Sequence, residues 1–199
     1  MPTPTVYLVR HATPDWSRTD LRYDIPPGPP LTAQGEDEAR ELGAFLRKAG
    51  VRKLYTSPLE RTLRTAHLAA DGLGVTPEVA EAIAEWQRGE TDALVLARVR
   101  PFWEAACAES GEHGPVALIT HGGPIRALLE DLGADGDELW HYRRQFDHQN
   151  PAPPAGVWLT AQPEGQPWTL NLVFAPQPFQ VYAPTAVAPA AVAPPLDYV

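Results

Sequence analysis

The chain is predicted to be an α/β protein, a three-layer α/β/α sandwich with a mainly parallel central sheet. Three observations carry that prediction. Short apolar runs suited to strands covered on both faces alternate with helical segments through residue 133. Helix start and stop signals punctuate the alternation. Two of the apolar runs also end alike: residues 6–9 lead into Arg10 and His11, and residues 116–119 lead into Thr120, His121, Gly122 and Gly123. Ligands of parallel α/β sheets sit beyond the carboxyl ends of the strands, so both histidines arrive at the default site.

The elements follow in order. A strand over 5–11 precedes a helix over 32–49, in which Thr32 serves as cap and Glu36, Asp37 and Glu38 favour the positive end. Ala39, Leu42, Leu46 and Ala49 share its inner face, and Gly50 ends it. A short strand over 51–56 runs into Ser57, Pro58, Leu59 and Glu60, a capping box with proline at the first helical position. That helix continues toward Gly72. Residues 92–110 are helical again, with Pro101 kinking or splitting the segment. A strand over 115–120 is followed by a helix through Leu132, closed by Gly133. Beyond Arg144 there is no lysine or arginine and 11 of the 23 prolines, which excludes another long helix there. Two late strands, 157–161 and 168–174, joined by a turn at Pro163, Glu164 and Gly165, are expected to extend the sheet.

A chain of 199 residues fits one domain able to bury about 70% of its unfolded surface. The expected division is a domain over 1–182 and a Pro/Ala-rich tail over 183–199, extended or disordered rather than folded. Cys107 is the only cysteine, so disulfides within the chain and cysteine clusters for zinc are excluded. Neither an export signal nor a run of about 18 apolar residues is present, and a cytoplasmic location is the default expectation. A formal charge of -9 argues against a general nucleic-acid binder, so any anion site must be local.

The motifs taken together are specific where each alone is weak. Arg10-His11-Ala12 with Trp16, then Leu31-Thr32 with Gly35, Ser57-Pro58-Leu59 with Arg61-Thr62 and Thr65-Ala66, and finally His121-Gly122-Gly123, resemble the histidine phosphatase superfamily, the phosphoglycerate-mutase-like group. The resemblance spans roughly residues 5 to 133. It implies that His11 attacks a phosphomonoester and forms a phosphohistidine that water then hydrolyses. Arg10, Arg61 and His121 would surround the phosphate, with Ser17 and Gly122 as further phosphate contacts. Nearby guanidiniums would keep His11 neutral. The leaving oxygen would be protonated by Glu85, which stands four residues before Gly89, with Glu81 as the fallback. Beside a bound phosphate the carboxyl pKa should rise. No metal and no cofactor are implied, because side chains already supply the positive charge.

Several positions depart from the family pattern. Ala12 stands where glycine is common, Pro14 where a hydroxyl residue is usual, Ser17 in place of asparagine and Arg64 in place of glutamine. They leave the substrate open. Taken singly, His11 and His121 would each read as a core histidine and Arg61 as a solvated helix residue paired with Glu60 or Glu90; their joint occurrence reverses this. Ser57 is fully explained as a cap. His67, His113, His141 and His148 lack metal-ligand spacing and read as structural or surface residues. Trp16 and Trp86 are expected to pack under loops, the alternative being a lining for an apolar part of a substrate.

The implied activity is a metal-independent phosphatase acting on a small phosphomonoester. Only 35 residues separate Glu85 from His121, whereas mutases of the family carry a longer insertion there, which favours hydrolysis. Phosphoglycerate mutase-type phosphomutase chemistry is the first alternative, and a non-catalytic phosphoryl-binding or scaffold protein the second. Expected partners are a small-molecule phosphomonoester and, as an open alternative, a second copy in a homodimer; neither nucleic acid nor membrane is expected.

Overall fold

The computed structural model describes residues 3–146 and 150–179. The tail expected over 183–199, and His148, lie outside the described residues. Strand β1 (Thr5–Arg10) is followed by helix α1 (Ala33–Lys48), β2 (Lys53–Thr56) and α2 (Glu60–Ala70). A two-residue strand β3 (Glu78–Val79) and a 3-10 turn (Glu81–Ile83) lead to α3 (Asp92–His113), β4 (Val116–Thr120) and α4 (Gly122–Asp131). Helix α5 (Gly136–Phe146) precedes β5 (Val157–Ala161) and β6 (Thr169–Phe174).

The sheet has the order β3-β2-β4-β1-β5-β6. The first four strands run parallel; β5 joins β1, and β6 joins β5, in antiparallel pairs. Successive side chains of a strand point to opposite faces, and the central strands are apolar on both. Val6, Leu8, Val116 and Leu118 pack with Val99, Trp103 and Leu128 of α3 and α4. Val9, Leu54, Ala117 and Ile119 pack with Leu42, Leu46 and Ala66 of α1 and α2 on the other face. Each fully buried aliphatic side chain contributes roughly 1.5–3 kcal/mol, so the double-sided pattern makes the β1 and β4 pair the centre of the fold. Parallel pairing sets Arg10 opposite Thr120, and the His11 amide donates to the Thr120 carbonyl at 3.0 Å. This register places His11 and His121 side by side beyond the strand ends.

Two expectations change, and other short elements were absent from the sequence reading. The second helix starts at Glu60, and its N-cap Leu59 makes no side-chain capping bond, so Ser57 is not the cap. Pro101 does not split α3, a single helix of 22 residues; its ring lies on the exposed face, where carbonyls can turn to water. Helix α5 was not foreseen, because its described side chains send only Leu139 and Tyr142 into the core, too few to show a helical period. It begins where the Asp135 carboxylate accepts from the Asp137 amide at 2.7 Å. The β3 strand and the 3-10 turn were also missed; each is too short to carry a pattern.

Candidate active site

The carboxyl ends of β1 and β4 deliver His11 and His121 with ring centroids 5.3 Å apart. Both are buried, at 2% and 0% exposure, which leaves an imidazole only the partners the fold supplies. His11 Nδ1 lies 2.8 Å from the Ala12 carbonyl oxygen. A carbonyl can only accept, so Nδ1 carries the proton and Nε2 retains the lone pair. Burial, then the charge of Arg61, then His121 and Arg10, hold the imidazole well below its usual pKa, so His11 is neutral near pH 7.

Arg10, at the end of β1, donates from Nη1 to the Ala152 carbonyl at 2.8 Å. Arg61 projects from the first turn of α2 and is fully buried. Its Nη1 donates to the Tyr23 carbonyl at 2.9 Å, and its guanidinium lies 4.9 Å from the Tyr23 ring. Nη2 is 3.1 Å from both Glu85 Oε2 and His121 Nδ1, while buried Nε has no hydrogen-bond partner among the described residues. Its ion-pair partner is therefore Glu85, not Glu60 or Glu90.

Glu85 follows the 3-10 turn. Thr120 donates to the Ile83 carbonyl at 2.6 Å, and Arg98 of α3 gathers the carbonyls of Ala82, Ala84 and Glu85 at 2.9, 2.7 and 3.0 Å. The loop is thereby fixed over β4. The Glu85 carboxylate bridges Arg61 and His121 Nδ1, the latter at 3.2 Å, and accepts from the Trp86 amide at 2.8 Å. Burial alone would raise its pKa, but His121, Arg61 and the Trp86 amide prevail and bring it to about 2. In the free protein the proposed acid is therefore ionised and occupies Arg61 and His121, two of the groups a phosphate would use. Glu81 lies in the 3-10 turn, is exposed, and lines neither of the two cavities that Glu85 borders.

Ser57 was missed as a site residue. Its Oγ lies 2.7 Å from His121 Nε2. Burial first, opposed by Glu85, lowers the His121 pKa, and its Nδ1 faces both the Arg61 guanidinium and the Glu85 carboxylate. When the ring is charged, the same hydroxyl supports it by accepting from Nε2. Only the capping-box match drew attention to Ser57, and it pointed to the wrong partner.

Gly122 opens α4, and a Cβ there would fall inside the Asn150 side chain, so the bare backbone lets Asn150 reach the site. Sequence reasoning missed Asn150, which has no motif around it. Ser17 is not brought in: its hydroxyl donates to Asp15 at 2.6 Å on the surface. Arg64 pairs with Glu36 instead. Trp16 is 55% exposed rather than packed under a loop, with its ring 5.7 Å from that of Tyr23. His67, His113 and His141 lie at the surface.

Arg10, His11, Trp16, Tyr23, Gly122 and Asn150 line a cavity of about 420 Å³, bounded also by Glu85. A second cavity of about 680 Å³ shares Tyr23, Glu85 and Asn150 with it and extends along Asp24, Trp86 and Arg88. Trp86 lines this larger cavity, and the Arg126 guanidinium lies 5.4 Å from its ring. The ligand atoms of His11, Glu85 and His121 lie within 4.8 Å of one another, a donor set that could hold a metal ion. The Arg61 guanidinium already occupies two of those atoms and repels a cation there. The arrangement is suited to an anion. None of the described helices is long and apolar enough to cross a membrane.

The chain aligns with known proteins along most of its described length. The model of the histidine phosphatase superfamily (branch 1) matches residues 6–95 and 86–151. A probable phosphoglycerate mutase of Klebsiella pneumoniae is 37% identical over 91 residues, 46% of this chain and 40% of the relative. Another, from an Enterobacter species, is 39% identical over 69 residues, 35% of this chain and 32% of the relative. These matches thus span less than half of the curated relatives. Among solved structures, a mycobacterial glucosyl-3-phosphoglycerate phosphatase superposes with a TM-score of 0.66 at 20% identity, covering 86% of this chain and 98% of the other. A phosphoglycerate mutase of Bacillus anthracis superposes with a TM-score of 0.69 at 17% identity, covering 86% and 92%. The fold is shared with both. With the family model matched over more than half of its length, and with two histidines delivered by the ends of adjacent parallel strands, this chain belongs to the histidine phosphatase superfamily, branch 1.

Proposed function

We propose that this protein is a metal-independent phosphatase that hydrolyses a small phosphomonoester through a phosphohistidine on His11. The observation that carries the reading is the buried His11 imidazole, its Nδ1 committed to the Ala12 carbonyl, facing a cavity walled by Arg10 with Arg61 and His121 behind. Nε2 forms the N–P bond as the ester P–O bond breaks, and the leaving oxygen takes a proton from Glu85. Water then attacks phosphorus, Glu85 takes its proton, the N–P bond breaks and inorganic phosphate departs. The fixed cations match the charge on the transferring group.

Glu85 lies on the boundary between the two cavities, so phosphate in the smaller one sends the leaving alcohol past Glu85 into the larger. The path from Glu85 to His121 consists of a short loop, α3 and β4, which leaves no inserted segment to shield the site from water. This supports hydrolysis over phosphoryl return. The likeness to probable phosphoglycerate mutases makes isomerisation the rival outcome.

The test is a rapid quench with a labelled phosphomonoester in the presence of a chelator, alongside release of inorganic phosphate and isomerisation of 3-phosphoglycerate with a bisphosphate primer. Acid-labile label on His11 with steady phosphate release is expected. Efficient isomerisation with negligible release would overturn the phosphatase reading. Phosphate binding without turnover across a broad ester panel would instead indicate a non-catalytic phosphoryl-binding protein.

A further inference from the structure

Glu38 is an acid on a helix that the sequence would place in solvent, yet it is 2% exposed. No lysine, arginine or histidine pairs with it among the described residues. An unpaired carboxylate is costly to bury unless hydrogen bonds replace its water. Here its oxygens accept from the Thr13 amide at 2.8 Å, the Thr13 hydroxyl at 2.8 Å and the Gln34 side chain at 2.9 Å. Two of those three donors belong to one residue, placed two positions after His11.

The Thr13 amide and the Ala12 carbonyl are the two ends of a single peptide group. Its N–H donates to Glu38, and its C=O accepts from His11 Nδ1. The group is held firmly: the Ala12 amide donates to Thr65 at 3.1 Å, and the Thr13 carbonyl accepts from the Thr32 amide at 3.0 Å. A Cβ on Gly35 would fall inside that same Thr13 carbonyl, so only glycine lets α1 close on the loop. We infer that Glu38 is a positioning residue that acts on His11 through this peptide: its charge polarises the Ala12–Thr13 group, strengthens the Nδ1 hydrogen bond and stabilises positive charge on the ring as Nε2 becomes bonded to phosphorus. Hydrogen bonds in series reinforce one another, and one anchored on an ion is stronger than a neutral one. The arrangement does for His11 what a directly bonded carboxylate does for a catalytic histidine, with a peptide group interposed.

This inference rests on His11 being the nucleophile proposed above, and the experiment separates the two. Glu38→Gln keeps the shape and removes the charge: the amide oxygen accepts from the Thr13 N–H, the amide nitrogen donates to the Thr13 hydroxyl, and Gln34 rotates to accept. In 15N-labelled wild-type protein, NMR is expected to show a downfield, slowly exchanging proton on His11 Nδ1, which moves upfield in Glu38→Gln. Formation of phosphohistidine should slow roughly three- to tenfold, with affinity for inorganic phosphate unchanged. An anchor without electrostatic influence predicts wild-type values for both readouts, and that result would overturn the inference. The proton on Nε2 of wild-type His11 would overturn it as well, even if no variant folds. Absence of label on His11 in wild-type protein would refute the phosphatase reading, while the NMR measurement would still decide the polarisation.

Discussion

Replacing Glu85 by glutamine isolates the proton from the scaffold. The amide keeps an oxygen for Arg61 but cannot deliver a proton to a leaving alkoxide. With a pKa of about 2 in the free protein, Glu85 is protonated in about one molecule in 10⁵ at neutral pH, too few to serve as an acid. Raising that to about one in ten costs roughly 5 kcal/mol. A bound phosphate dianion can supply it, since each unit charge at about 4 Å contributes roughly 4 kcal/mol at an effective dielectric constant of about 20. The phosphate also takes over Arg61 and His121, the two groups that hold the carboxyl down. Glu85→Gln should therefore slow His11 phosphorylation by an alkyl phosphate roughly 10²- to 10⁴-fold. With p-nitrophenyl phosphate, whose leaving group is stable as an anion, the loss should be small. Inorganic phosphate should bind more tightly to the variant, because no internal carboxylate competes for the cations. Single-turnover quench with both esters, plus product inhibition, measures all three. Equal losses on the two esters would refute Glu85 as the proton donor.

Two further outcomes follow from the same geometry. Ser57→Ala removes the acceptor behind charged His121, and phosphate affinity should fall roughly 10- to 100-fold, as for a hydrogen bond to an ion, without loss of the acid-labile label on His11; unchanged inhibition by phosphate would return Ser57 to a purely structural role. Stability should decline in acid. His11 and His121 have folded pKa values below the ordinary 6.5, so the unfolded chain binds protons that the folded one refuses, and stability is lost as pH falls through 6.5. Glu85 adds the same sign lower down, its contribution being present above 4.5 and lost as pH falls toward about 2. The urea midpoint should drop between about pH 7.5 and about pH 5.5, with a shallower slope in His11→Gln, and a flat profile would contradict the buried neutral imidazoles.

The longer strands and helices α1 to α4 were legible as apolar runs and helical periods. Thr32 does cap α1, accepting from the Gly35 amide at 2.9 Å, and the two late strands form as expected. His11, His121, Arg10 and Arg61 were legible only jointly, through motif order. What escaped notice was chemistry made by distant chain segments. Arg98 reads as a solvated helix residue until the carbonyls of the Glu85 loop fold onto it, and Glu38 reads as a first-turn acid until Thr13 closes over it. Ser57 shows the converse case, in which a valid local motif is overruled by a histidine 64 positions away. Nothing near Asn150 could have flagged it, since its place over Gly122 depends on the chain returning from α5.

The internal Glu85 bridge also sets the terms on which the pocket accepts any anion. With the Arg61 charge already matched from within, the resting site offers less long-range attraction, and a visitor must surpass a resident carboxylate at close quarters. Monovalent ions such as chloride or acetate bring no more charge than the group they would evict, whereas a doubly charged phosphoryl group brings twice as much. Selection by valence is thus built into the exchange itself, before the shape of the alcohol portion is tested.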